Sequence, residues 1–92
     1  MATVLVIEDD RFNRLLYRDL LEGEGWEVVL APDGASGLAA AHDRSPGVIL
    51  VDIQLPDMSG LDLTRTLKDG PGTGKIPIVV VSAHALEKYF FD

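Results

Sequence analysis

The 92-residue sequence has no cysteine, which excludes disulfides, thiolate zinc sites and cysteine nucleophiles. Basic side chains are scarce: 8 lysines and arginines face 15 acidic residues, for a formal net charge of −7. A surface of that sign repels phosphate backbones, so nucleic acid is not expected as a direct partner. Long apolar runs are also missing. Nothing approaches the roughly 18 residues of a membrane span, and Met1 leads into a strand-like run with no basic signal region before it. No membrane contact is expected, and the expected setting is cytoplasmic. What remains is an ordinary globular balance, 47% hydrophobic and 25% charged, which argues against disorder and leaves room for one domain over residues 1–92.

Short apolar runs alternate with amphipathic ones. Ala2 to Ile7 reads as a buried strand with Thr3 its one polar member, ending at Glu8-Asp9-Asp10. From Arg11 the spacing becomes helical: Phe12, Leu15, Leu16 and Leu20 recur, with Asp10 as the N-cap and Gly23 and Gly25 as the stop. Glu27 to Ala31 is a second strand, followed by the turn Pro32-Asp33-Gly34 and a small-residue helix over about 35–43. Ser45-Pro46-Gly47 breaks that helix before a third strand, Val48 to Val51, which ends at Asp52. A loop over 53–60 precedes a third helix carrying Leu61, Leu63 and Leu67, closed by Gly70-Pro71-Gly72. Ile76 to Val81 is the most apolar strand, with Pro77 near its start, and residues 83–92 are read as the beginning of a fourth helix.

The order is therefore βαβαβαβα. Continuous apolar strands need cover on both faces, so a parallel sheet in an α/β layer fold is expected. Sites in such sheets form where strands end at their carboxyl edges, and Glu8, Asp9, Asp52 and Ser82 all fall there. Either acidic motif alone is an ordinary cap or turn. Three carboxylates brought to one edge from two strands repel one another unless a proton or a cation intervenes. A set of oxygen donors without His or Cys suits a hard ion, Mg2+ ahead of Ca2+ or Zn2+, and Mg2+ with carboxylates is equipment for phosphoryl transfer.

Glu8-Asp9-Asp10 after an apolar strand, Val51-Asp52-Ile53-Gln54-Leu55-Pro56, Ser59-Gly60 and Val81-Ser82-Ala83 together resemble the receiver domain of two-component response regulators, from residue 2 to about residue 86. Within that family, Ile53-Gln54-Leu55-Pro56 with Asn13 looks most like stand-alone cell-cycle regulators and hybrid-kinase receivers. The resemblance implies a flavodoxin-like doubly wound sheet. It implies that Asp52 takes a phosphoryl group from a histidine kinase or histidine phosphotransfer protein as an acyl phosphate. Asp9, Asp52 and the backbone carbonyl of Gln54 would ligate Mg2+, with Glu8 acting through a bound water. Ser82 matches the switch hydroxyl that moves toward the phosphoryl group, and Gln54 and His84 match positions that tune hydrolysis. Pro56 and Gly60 shape the loop. Such a domain is a self-phosphorylating phosphoacceptor at most, not a turnover enzyme.

The family pattern continues with the rest of a fourth helix, a fifth strand bearing an aromatic switch residue and a phosphoryl-contacting lysine, and a fifth helix. This sequence departs from it there, so a receiver incomplete at its C-terminus is expected. Lys75 and Lys68 lie at the wrong edge to replace that lysine, and Lys88 has only proximity in sequence. Ile78 to Val81 would then be an unprotected sheet edge. Tyr89, Phe90 and Phe91, half of the six aromatics, are expected to pack onto exposed apolar surface of this chain or of a second copy, which would make a homo-oligomer. Two other readings compete: a degenerate receiver serving as a phosphorylation-independent interaction module, and a haloacid-dehalogenase-like phosphatase. The latter needs a general-acid Asp two residues after the nucleophile, where this sequence has Gln54, and a cap domain that 92 residues cannot hold.

Overall fold

A computed structural model describes residues 2–81. The expected switch hydroxyl Ser82, His84, Lys88, the fourth helix and the aromatic tail lie outside the described residues. Within them, the chain runs β1 (Thr3–Ile7), α1 (Arg11–Gly23), β2 (Glu27–Ala31), α2 (Gly34–Arg44), β3 (Val48–Asp52), α3 (Gly60–Asp69) and β4 (Ile78–Val81). The four strands form one parallel sheet in the order β2-β1-β3-β4. The expected α/β architecture is present, with element boundaries within two residues of those read from the sequence.

The chain reverses its direction across the sheet after β2. Right-handed crossovers then put α1 on one face and α2 and α3 on the other. Alternation along β1 fits: Leu5 and Ile7 join Ile49, Val51, Ala31, Ala41, Leu63 and Leu67 in one cluster, while Val4 and Val6 are buried on the opposite side. Leu5, Ile7, Ile49, Leu63 and Leu67 are fully buried, and each contributes about 1.5–3 kcal/mol by leaving water. The small residues of α2 have a packing reason. A Cβ at Gly37 would fall 2.5 Å from Ile7 Cδ1, so only glycine lets the helix settle this close to β1.

One expectation changes in detail. β4 begins at Ile78 instead of Ile76, because the Ile76 N–H closes a turn onto Thr73 O (3.1 Å) and Pro77 has no N–H to give; Pro77 still accepts from Ile49 N (3.0 Å). The helical repeat Phe12, Leu16 and Leu20 does form one stripe of α1, but the stripe faces outward, with Phe12 73% exposed. Leu15 and Leu21 are the half-buried leucines of that helix. No helix among the described residues is long and apolar enough to cross a membrane.

The amino end of α2 carries a complete capping box. Asp33 Oδ1 accepts from Ser36 N (2.8 Å) and from Ser36 Oγ (2.6 Å), and the Asp33 N–H reaches Ser36 Oγ. Asp33→Ala should cost about 1 kcal/mol, the usual worth of an N-cap, and lower the thermal unfolding midpoint by roughly 4–8 °C for a domain of this size. Thermal denaturation followed by circular dichroism checks this, and an unchanged midpoint would contradict it.

Candidate functional site

β1 and β3 are adjacent and parallel, with Ile7 level with Val51. The residue after each therefore arrives side by side at the carboxyl edge: Glu8 from β1 and Asp52 from β3. Glu8, Asp9 and Asp52 each offer a carboxylate oxygen, and these oxygens lie within 4.8 Å of one another. Glu8 is buried at 4% exposure, Asp52 is half-buried and Asp9 is exposed. Two charged carboxylates whose oxygens lie within 4.8 Å of one another repel by on the order of 3 kcal/mol at an effective dielectric constant of about 20. A capping bond is worth about 1 kcal/mol, so capping alone does not account for the cluster.

The three acidic residues in a row divide their work. Asp10 Oδ1 accepts from Asn13 N (2.8 Å), so Asp10 is the N-cap of α1 as the sequence indicates. Glu8 and Asp9 cap nothing. Glu8 continues the β1 ladder through its N–H to Ala31 O (3.0 Å), and its Oε2 accepts from Asp10 N (3.3 Å). Burial, reinforced by the hydrogen bond and the charge of nearby Asp52, pushes the Glu8 carboxyl up from 4.5 to about 7, against the lowering effect of the Asp10 N–H. The same surroundings raise the Tyr17 phenol, through its own burial first and then the charges of Glu8 and Asp52.

Asp52 Oδ1 accepts from Gln54 N (3.3 Å), the start of a loop folded tightly on itself. Ile53 O accepts from Gly60 N (2.7 Å), Ile53 N reaches Val81 O (3.0 Å), and Gln54 bridges Ser59. A Cβ at Gly60 would collide with the Asp52 carbonyl, so glycine is required where the loop turns back into α3. That supports the sequence reading of Gly60 as a loop-shaping residue. Val81 sits level with Asp52 in the register of β3 and β4.

The structure thus brings together Glu8, Asp9 and Asp52, with Gln54 next in the loop. Their donor set is all oxygen and suits a hard divalent cation. Two charged residues were missed in the sequence. Arg14 Nη1 donates to Glu8 O (3.0 Å) and Asp9 O (2.8 Å), fixing the backbone that carries both acids; its position on the first turns of α1 was the available signal. Asp57 accepts from Gly34 N (2.8 Å) and Ala35 N (2.9 Å), which hold its carboxyl below the usual range. Nothing local marks that contact, since the partners are 23 and 22 residues away. At the α3–β4 connection Lys68 Nζ donates to Ile76 O (2.7 Å), and a hollow of about 310 Å3 is lined by Gly70, Gly72, Gly74 and Lys75, none of them a member of the cluster.

Comparison with known proteins finds similarity over most of the chain. The family model described as the response regulator receiver domain matches residues 4–92. The polar-differentiation response regulator DivK of Brucella anthropi is 40% identical over 85 residues, covering 92% of this chain and 69% of the relative. Among solved structures, a sensor protein from Polaromonas sp. JS666 superposes with a TM-score of 0.87 at 32% identity, covering 99% of this chain and 73% of that one. The chemotaxis response regulator CheY4 of Vibrio cholerae gives 0.83 at 30% identity, covering 87% and 67%. The receiver domain of a sensor histidine kinase from Pseudomonas aeruginosa, with a magnesium ion coordinated in its active-site cleft, gives 0.86 at 27% identity, covering 96% and 74%. The doubly wound, flavodoxin-like architecture is shared with these structures.

The raised Glu8 carboxyl has a signed consequence for stability. Below pH 4.5 the folded and unfolded chains both hold the proton; between 4.5 and about 7 only the folded chain does. The folded state therefore loses stability as pH rises through that window, and the loss is complete above it. In metal-free buffer the unfolding midpoint of the native sequence, measured relative to Glu8→Gln, should fall across this range and level off. A difference that stays flat with pH would contradict the assignment.

Proposed function

Since the chain belongs to the response regulator receiver family, we propose that it is a phosphoacceptor, taking a phosphoryl group on Asp52 from a histidine kinase or histidine phosphotransfer protein. Receiver domains are signalling modules, and on this reading the chain undergoes phosphorylation of its own side chain without acting as a turnover enzyme. The observation that carries the proposal is the convergence of Glu8, Asp9 and Asp52 from two adjacent strand ends, with Asp52 half-exposed among them. A scaffold has no physical need for clustered carboxylates that repel.

A hard divalent cation fits this donor set, and Mg2+ is the reading supported by its preference for one or two carboxylates with waters and a phosphate oxygen. Glu8, Asp9, Asp52 and the Gln54 carbonyl would hold it; when bound, it supplies positive charge against that developing on the transferred group. The chain's own residues do the rest. An Asp52 oxygen attacks phosphorus, the new O–P bond forms as the donor's P–N bond breaks, and the electron pair of that bond returns to the imidazole. Gln54 N, bonded to Asp52 Oδ1 at 3.3 Å, orients the carboxylate for this approach. Arg14 keeps Glu8 and Asp9 in place through their carbonyls. Ser82 is assigned as the switch hydroxyl, and Gln54 and His84 as modulators of hydrolysis.

Incubation with acetyl phosphate and Mg2+, followed by intact-mass measurement, tests the reading. One added phosphoryl group is expected, absent after chelation of the metal and absent in Asp52→Ala. A folded, Mg2+-binding chain that gains no mass, or that gains it equally in Asp52→Ala, would overturn it and favour a phosphorylation-independent interaction module.

A further inference from the structure

The loop over 53–59 leaves β3 directly after Asp52. Its base is tied by the Ile53 bonds to Gly60 and Val81 and by the Gln54–Ser59 bridge. Its tip is hydrogen-bonded through one side chain. Asp57 spans to the amino end of α2, each carboxylate oxygen taking one backbone N–H: Oδ1 from Gly34 at 2.8 Å and Oδ2 from Ala35 at 2.9 Å. The next residue, Met58, packs on the same turn; a Cβ at Gly34 would fall 2.5 Å from Met58 Cγ. Polar and apolar contacts therefore anchor the tip together.

Asp57 is not needed as the cap of α2. Asp33 already takes Ser36 N through its side chain and Gly37 N through its carbonyl. What Asp57 takes are the two remaining free donors of the first turn, and it takes them from a segment that enters the site. The two helix N–H groups hold its carboxyl low, so the tie stays charged across the neutral range.

We propose that Asp57 is a positioning residue for the cation: by fastening the loop tip to α2 it fixes the Gln54 carbonyl and the Asp52 carboxylate relative to Glu8 and Asp9. The inference rests on the cation-binding reading above. Gln54 is only three residues from Asp57, so displacement of the tip is passed to it through a short length of backbone. Mg2+ requires near-ideal octahedral geometry, and groups that orient ligands without touching the metal typically change affinity by about 10–100-fold when removed.

The experiment is a calorimetric titration with MgCl2 alone, on the native chain, Asp57→Ala, Asp57→Asn and Asp33→Ala, with amide NMR of Gly34 and Ala35 on each. Asp57→Ala should shift both amides and weaken Mg2+ binding about tenfold, at the low end for an orienting group, while acetyl phosphate labelling at saturating Mg2+ recovers to the native extent. Asp57→Asn, which keeps one acceptor oxygen and the side-chain volume, should fall between and serves if the alanine variant does not fold. Asp33→Ala destabilises the same helix without touching the loop, so its Mg2+ affinity should equal that of the native chain. Native affinity in Asp57→Ala with both amides shifted would overturn the positioning role, as would an equal loss in Asp33→Ala. If the native chain itself takes up no Mg2+, the cation reading fails and the positioning role falls with it.

Discussion

Three carboxylates held at one sheet edge are the constraint on which the rest of this structure depends. Their repulsion outweighs the worth of any single cap or turn, so the fold must force them together and something must then neutralise them. Parallel pairing of β1 with β3 does the forcing. With Ile7 level with Val51, both buried in the core, neither strand can slip by a residue without turning its apolar side chains to the wrong face. Below about pH 7 a proton on Glu8, which burial and Asp52 favour, does the neutralising. A divalent cation would do it without that proton, which makes the cluster responsive to its surroundings.

Around this cluster, charged side chains are used to hold backbone. Arg14 spends its guanidinium on the carbonyls of Glu8 and Asp9, leaving their carboxylates to face the site. Asp57 does the converse, placing a carboxylate on helix N–H groups and steadying the loop that follows Asp52. At the loop's far end, the absence of a side chain at Gly60 lets the chain pass close over the Asp52 carbonyl. The exposed salt bridges, such as Arg18 with Asp19 and Arg65 with Asp62, sit on helix surfaces, where such pairs contribute little.

Much of this was legible before any coordinates. Apolar runs of five or six residues alternating with helical repeats specify a parallel sheet covered on both sides, and an acidic residue following an apolar run marks a carboxyl edge. Asp10 as the cap of α1 and the meeting of Glu8, Asp9 and Asp52 follow from local spacing and strand order, and Gly60 as a residue that shapes the loop follows from the family resemblance. The outward-facing stripe Phe12, Leu16 and Leu20 did not follow, because a helical repeat establishes that residues share a side of the helix and not what that side meets. The late start of β4 turned on one hydrogen bond, Ile76 N to Thr73 O, that competes with the ladder.

The sequence by itself determined the kinds of element, their order and which acids stand at strand ends, since each is set by periodicity and neighbours within a few positions. Tertiary structure decided the rest. It buried Glu8 while leaving Asp9 exposed, and that burial pushes the Glu8 carboxyl above its ordinary value. It also gave Asp57 its partners in a helix 23 residues earlier. Both depend on what the folded chain brings near a group from elsewhere, and a hydrogen bond or a loss of hydration across that distance leaves no mark on local spacing.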